Sequence, residues 1–311
     1  MADAGTDRPW RAAWDASLYG ADGFFLRSAP AEHFRTSVAL PPFAQAVRRL
    51  AERVDDALGR PDPFDVVDLG AGRGELLLGF GTVPGRWRLT AVERAPDPGV
   101  GLAWASTVPA LTGLLIANEW LDNVPCEVLQ DDRLVSVDRA GQESLGAFAG
   151  PESLDWQAKW WPGAGRVEVG LARDRAWAGA VARVRRGLAV AVDYGHLRSS
   201  RRPTLTGYRH GRQVDPVPDG SGDLTAHVAL DSCAAATGAR LLRQREVLTE
   251  LGVSAGLPGW TGDAPAYAAA LQHASQARTL LDPAGLGGFG WLVQPVGCAD
   301  PLAGVSGRLS R

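Results

Sequence analysis

The sequence has no positive charge to spare: 32 Lys and Arg face 35 Asp and Glu, for a net charge of −3. It has no strongly basic block, and Lys159 is its one lysine. A chain that grips nucleic acid through phosphate contacts carries a basic surplus somewhere, so no nucleic-acid partner is expected. Cysteine is scarce too. Cys126, Cys233 and Cys298 are odd in number and far apart, which excludes a disulfide framework and CxxC-type zinc or redox sites and fits a reducing compartment. No apolar run approaches the roughly 18–20 residues that span a bilayer. The N-terminal stretch carries Asp3, Asp7, Arg8 and Pro9 where a signal peptide needs an apolar core. A soluble cytoplasmic protein without membrane contact is the expectation.

What is present is an ordinary core-forming composition. The 311 residues are 45% hydrophobic and 22% charged, enough for one elaborated domain or two small ones. Residues 1–40 read as an irregular N-terminal arm marked by Gly20, Gly23, Phe24, Phe25 and Pro30. Pro41 and Pro42 suit the first turn of a helix whose apolar positions, Phe43, Val47, Leu50, Ala51, Val54 and Leu58, recur at helical spacing until Gly59. Short apolar runs at 64–69, 87–93, 113–118, 188–192 and 289–296 read as buried strands. A hairpin over 126–137 is expected beside the main sheet, a helix over 171–186 closed by Gly187, a helix near 226–237, a strand near 240–249 and a helix over 265–282. Residues 196–225 read as a long surface loop, of the length often used for lids and binding loops. Strands alternating with helices predict an α/β fold with a mostly parallel sheet, covered by helices on both faces. Ligands of such sheets bind beyond the carboxyl ends of the strands, at 68–75, 93, 118–125 and 193–196 here.

Two of these places carry chemistry. At the first, Asp68-Leu69-Gly70-Ala71-Gly72-Arg73-Gly74-Glu75 spells DxGxGxG at a strand-to-helix turn, where glycines let the backbone lie against a ligand. A dinucleotide fold prefers GxGxxG, and Glu75 stands where the last glycine belongs, an acid beside the pyrophosphate. S-adenosylmethionine suits the site better: Asp68 for its ammonium, the amides of Gly70, Ala71, Gly72 and Gly74 for its carboxylate, and Glu93 for both ribose hydroxyls. A purely structural glycine turn is the alternative. At the second, Asn118-Glu119-Trp120-Leu121-Asp122-Asn123-Val124-Pro125 puts two acids and two amides at a strand end. Paired acids can orient a planar guanidinium and receive its proton; otherwise Asp122 caps a helix and Asn118 makes a turn.

The motifs in series resemble the MidA family of S-adenosylmethionine-dependent methyltransferases, which includes a mitochondrial complex I assembly factor that methylates a protein arginine. The matching pieces are Tyr19-Gly20 with Gly23-Phe24-Phe25, His33-Phe34-Arg35-Thr36-Ser37, the loop from Asp68, Ala117 to Asp122 with Pro125, Asp193-Tyr194-Gly195, Thr204-Leu205 with Gly207-Tyr208-Arg209-His210, and Gly222 to Val228. The resemblance implies a class I methyltransferase-type, Rossmann-like domain over 41–311, with insertions at 126–170 and 196–225 and the 1–40 arm on the substrate side. It implies S-adenosylmethionine as cofactor, with Asn118 on it as well, Asn118, Glu119 and Asp122 as the catalytic group, and a protein arginine as acceptor.

Two features depart from the pattern. Only 24 residues separate Glu93 from Asn118, so the crossover is abbreviated and no adenine contact can be assigned. The arm is also short. Both favour an alternative small-molecule O- or N-methyltransferase, and a catalytically silent cofactor-binding assembly factor is the non-enzymatic alternative. Phe25, Tyr194, His210 and His227 are the candidate substrate contacts, each readable equally as packing or a solvated side chain. His196, His210 and His227 lack the paired spacing of zinc ligands, so no metal is expected. Asp223 and Thr225 read as caps of the following helix. Trp156, Trp160 and Trp161 interleave with no basic run and read as packing rather than base stacking.

Overall fold

The computed structural model describes residues 7–27, 36–260 and 262–306. The short apolar runs assemble into one seven-stranded sheet: β1 (Phe64–Leu69), β2 (Trp87–Val92), β3 (Ala103–Ala105), β4 (Leu111–Asn118), β5 (Val184–Asp193), β6 (Arg240–Arg243) and β7 (Gly290–Val296). Their spatial order is β3-β2-β1-β4-β5-β7-β6. The first five run parallel, and β7 is antiparallel to both of its neighbours. The order reverses between β1 and β4, which makes the crevice beyond their carboxyl ends the natural ligand site.

Beside a single turn at Phe24–Arg27, the α-helices among the described residues are α1 (Trp10–Tyr19), α2 (Pro41–Ala57), α3 (Glu75–Leu78), α4 (Pro151–Trp160), α5 (Leu171–Val181), α6 (Leu230–Thr237), α7 (Gln244–Glu250) and α8 (Ala264–Leu281). Because strand side chains alternate between faces, the sheet feeds two cores. Val66, Leu114, Ile116, Leu188, Val190 and Trp291 pack with α2, α7 and α8. Val67, Leu115, Ala117, Ala189, Ala191 and Leu292 pack with Trp177 of α5 and Cys233 of α6. Both faces are therefore helix-covered.

Several elements differ from expectation. The hairpin of Glu127–Gln130 and Arg133–Val137 lies not beside the main sheet but in a separate antiparallel one, with Arg8–Pro9, Glu143–Phe148 and Arg166–Val169. Within the N-terminal arm, α1 is regular, burying Trp10, Trp14 and Leu18 against Val128, Val135 and Val137 of that second sheet. Gly187 does not close a helix. The helix ends at Val181, and Gly187 sits inside β5 with φ 139°, where a Cβ would stand 1.9 Å from the Gly113 carbonyl oxygen. Segment 196–225 is not an open loop, because Thr206–Arg209, Arg212–Val214 and Asp223–Thr225 form a three-stranded antiparallel sheet. Asp223 and Thr225 are thus strand residues and cap nothing, since α6 begins only at Leu230. The stretch from 240 is strand only as far as Arg243, then helix. Pro30, His33, Phe34 and Arg35 lie outside the described residues.

Arg173, at the start of α5, ties these layers together. It is 1% exposed, and its guanidinium donates to the carbonyls of Asp122 (2.7 Å), Val124 (3.0 Å), Ala226 (3.0 Å) and His227 (2.9 Å). One side chain thereby joins the turn after β4 to the segment after the three-stranded sheet. Replacing it by methionine keeps the bulk and strands all four carbonyls. Arg173→Met is expected to lose about 4 kcal/mol of stability in urea unfolding, at about 1–3 kcal/mol for a stranded buried acceptor and with partial relaxation.

Candidate active site

The parallel ladders place Leu69, Val92, Ala105 and Ala117 side by side. The next residue of each strand, Gly70, Glu93, Ser106 and Asn118, forms a rim along the carboxyl edge. Above it lies a cavity of about 870 Å³, within the range of small-molecule and cofactor sites. Of the sequence candidates, Gly70, Gly72, Glu93, Glu119 and Phe25 line it. Asp68, Ala71, Gly74, Asn118, Asp122, Tyr194, His210 and His227 are not among its lining residues.

Gly70, Gly72 and Gly74 all adopt positive φ (76°, 59° and 86°). At Gly70 a side chain would also press on the Trp120 ring, 3.0 Å from the Cβ position. The loop's amides are taken within the loop's own surroundings: Gly70 N–H donates to Val92 O, Gly72 N–H to Glu93 Oε2 at 3.1 Å, and Arg73 N–H to Glu75 Oε2 at 2.9 Å. The amides expected to meet a ligand carboxylate are therefore engaged inside the ligand-free chain; the cationic side chains lining the cavity include Arg73 on the loop itself. Glu93 also accepts from Arg94 N–H at 2.6 Å. Each carboxylate oxygen keeps a free lone pair for a hydroxyl donor.

Asp68, Glu75 and Glu93 surround this loop. Burial, then the charges of Glu93 and Glu75, push the Asp68 carboxyl up to about 8. A carboxyl so placed is uncomfortable as an anion until a cation arrives. The surroundings of Asp68 therefore favour a positive charge beside that carboxyl, such as that of an ammonium.

Glu119 stands at the end of β4 with φ 50°, which turns its side chain into the cavity. Its Oε1 accepts from Ser37 N–H (2.9 Å) and Asn118 Nδ2 (3.0 Å). Burial pushes it up to about 7, against the pull of those hydrogen bonds. Asp122 lies behind it, 2% exposed, accepting from the Tyr194 hydroxyl and from Thr225 Oγ1. Burial raises Asp122; burial and then the Asp122 charge raise Asp193 well above the usual carboxylate range. Asp193 accepts from Leu121 and Asp122 N–H. Tyr194 and His227 meet edge to face at 5.3 Å. Burial, then the Arg201 charge, lowers His196 to about 3 and keeps it neutral. His210 is exposed at the turn of the three-stranded sheet.

Residues that the sequence reading did not name as site candidates complete the cavity. Tyr19 holds the Arg94 guanidinium 4.1 Å over its ring, and its hydroxyl donates to Asn123 O at 3.1 Å. Ser106, Thr107 and Val108 follow β3, the short strand in the abbreviated crossover, and Trp120 and Arg183 close other walls. Their signal was the apolar Ala103-Trp104-Ala105 after a Pro-Gly turn. The sequence also contains Gly252-Val253-Ser254-Ala255-Gly256, a GxSxG spelling, but Ser254 lies exposed in the loop after α7. A nucleophile elbow needs a strand-to-helix turn.

Comparison with known proteins bears on the family and the fold. Residues 88–244, half of the chain, match a family model described as "Putative S-adenosyl-L-methionine-dependent methyltransferase". No curated protein matches. A crystal structure of a Burkholderia thailandensis protein bound to S-adenosyl-homocysteine is similar at TM-score 0.79 and 23% identity, over 98% of this chain and 92% of that one. A native crystal structure of a protein from the same organism is similar at TM-score 0.78 and 23% identity, over 98% and 91%.

The Asp68 environment has a measurable consequence for the ligand-free protein. Its folded value of about 8 lies above the usual 3.8, so between those pH values the folded state keeps a proton that the unfolded chain has released. Stability falls as pH rises through that window. Asp68→Asn cannot titrate. Its stability relative to wild type is expected to improve steadily from pH 4 to 8 and then level off, on the order of 1.4 kcal/mol per pH unit at most, as read by urea unfolding across pH.

Proposed function

The chain belongs to the family of S-adenosyl-L-methionine-dependent methyltransferases, and from that premise we propose that it transfers the methyl group to a nitrogen of a protein arginine held at Glu119. The observation that carries this reading is the pairing, in one cavity, of an acid-ringed glycine loop and a second, separate acid. When bound, the cofactor supplies an electrophilic methyl carbon on a sulfonium. Asp68 would take the ammonium, Arg73 the carboxylate, Glu93 the ribose hydroxyls, and the rim at Ser106 and Thr107 the base.

On the acceptor side, the chemistry is orientation and proton removal. A guanidinium is protonated at neutral pH and is a poor nucleophile. Glu119, pushed up to about 7 by burial, can accept its proton near the working pH. Asn118 holds that carboxylate from the side. Asp122, fixed by Tyr194 and Thr225, keeps a negative or shared-proton environment behind it. Tyr19, Phe25 and Trp120 wall the cavity with rings and limit water at the reacting centre. The arginine acceptor comes from the MidA-like motifs; the guanidinium of Arg94 already stacked on Tyr19 supports a cavity that accepts this group. A cytoplasmic location is part of the same reading and fits the isolated cysteines.

Calorimetric titration with S-adenosylhomocysteine should show binding that Glu93→Ala weakens about tenfold or more; a wild-type protein that takes up none would refute the cofactor half. Incubated with labelled cofactor, the protein should label cell protein rather than extract metabolites, and label confined to metabolites would favour a small-molecule acceptor. Glu119→Gln should cut transfer by about a hundredfold or more while leaving S-adenosylhomocysteine affinity within about threefold.

A further inference from the structure

A buried chain of polar side chains runs from the far side of the sheet to Glu119. Trp291 of β7 donates through Nε1 to Gln244 Oε1 at 3.0 Å. Gln244, the first residue of α7, donates through Nε2 to Ser37 Oγ at 3.2 Å. Ser37 donates its backbone N–H to Glu119 Oε1 at 2.9 Å. Trp291, Gln244 and Ser37 are all 0% exposed, so no water competes for these groups.

The chain has a direction. An indole N–H can only donate, so the Gln244 oxygen must face Trp291 and its amino group must face Ser37. Ser37 Oγ then accepts from Gln244, and its own proton is left for another acceptor. The Ser37 backbone N–H, the group that meets Glu119, favours its charged form. A glutamine with no exposure at a helix start has no solvent role, and Gln244 is already anchored by its backbone N–H to Phe289 O.

We propose that Gln244 is a positioning residue for Glu119: locked by Trp291, it holds Ser37 by its hydroxyl so that the Ser37 backbone N–H stays on the Glu119 carboxylate and fixes it in place. The inference rests on the proposed function only for what Glu119 does in transfer; the wire itself is a property of the ligand-free chain. The other charged groups around Glu119 are Asp122 on its own turn and Asp193 at the end of β5. Arg73, Glu93, Arg94 and Arg183 also line the cavity.

The test removes the anchor. In Gln244→Met the side chain keeps its length but neither accepts from Trp291 nor donates to Ser37 Oγ, and it adds no charge. Carbon-13 NMR titration of protein labelled at the glutamate carboxyls, with the Glu119 resonance assigned through Glu119→Gln, reads the result without any cofactor or acceptor. Gln244→Met is expected to move the Glu119 midpoint upward by about half a pH unit or more, the weakening of one hydrogen bond to a charged group. Ser37→Ala, a smaller change that removes the oxygen Gln244 holds, should move it the same way. A Glu119 midpoint unmoved in Ser37→Ala overturns the proposal, whether or not Gln244→Met folds. So does a folded Gln244→Met that leaves it in place. Because the readout is the carboxyl itself, a failure of methyl transfer would count against the proposed function and not against the wire.

Discussion

The constraint on which the rest of the structure depends is the crowding of buried carboxylates along one edge of the parallel sheet. Asp68, Glu119, Asp122 and Asp193 end or follow β1, β4 and β5, and burial raises every one of them above the usual carboxylate range. Such a row would open the edge by repulsion if it were left to itself. The loops prevent this by aiming main-chain N–H groups at the acids: those of Leu121 and Asp122 at Asp193, that of Ser37 at Glu119, and those of Gly72 and Arg94 at the neighbouring Glu93. The conformations of the loops after β1, β2 and β4 follow from that satisfaction as much as from turn propensity. Arg173 contributes the nearby positive charge, yet it spends its donors on carbonyls, so the acids keep their need for a cation.

That unmet need is what distinguishes this crevice from a dinucleotide site of the same topology. The β3-β2-β1-β4-β5 order and the glycine turn are common to many nucleotide-binding sheets. What differs here is the set of acids at that turn. Burial, then the charges of Glu93 and Glu75, raise Asp68, and a cation beside it would relieve that carboxyl. Topology locates the crevice, and these acids are the chemistry on which the proposed function builds.

The legible part of the molecule was the part governed by local rules. The helix from Pro41, the strand from Phe64, the glycine turn and the two acidic strand ends all follow from short-range periodicity and turn chemistry, and the structure places them within a residue or two. What the sequence concealed was decided by distant partners. Gly187 reads as a helix stop by composition but is required by the approach of Gly113 on the adjacent strand. The helix of Trp10, Trp14 and Leu18 is short and interrupted by polar residues, and only its burial against the second sheet makes it stable. The contacts of the arm were hidden for the same reason: Tyr19 reaches Asn123, Ser37 reaches Glu119 and Gln244 reaches Ser37 across sequence distances that no periodicity spans.

Glu119 is held in the cavity at a cost to folding. A non-glycine residue at φ 50° costs on the order of 1 kcal/mol or more, and burying its carboxyl costs more again. Glycine at this position would relieve the first cost, and an amide would relieve most of the second while preserving the bond from Ser37 N–H. The chain instead keeps an acid in a strained turn, ties it with the Asn118 amide and the Ser37 backbone, and secures Ser37 through a glutamine that touches nothing wet. Each of those supports is itself buried, and a polar side chain in a core adds little to stability beyond what an apolar one would give. Strain, burial and a dedicated scaffold converge on one carboxylate facing an 870 Å³ cavity. Under the proposed function they have one purpose: that carboxylate meets a ligand at a fixed place with its proton affinity near neutrality.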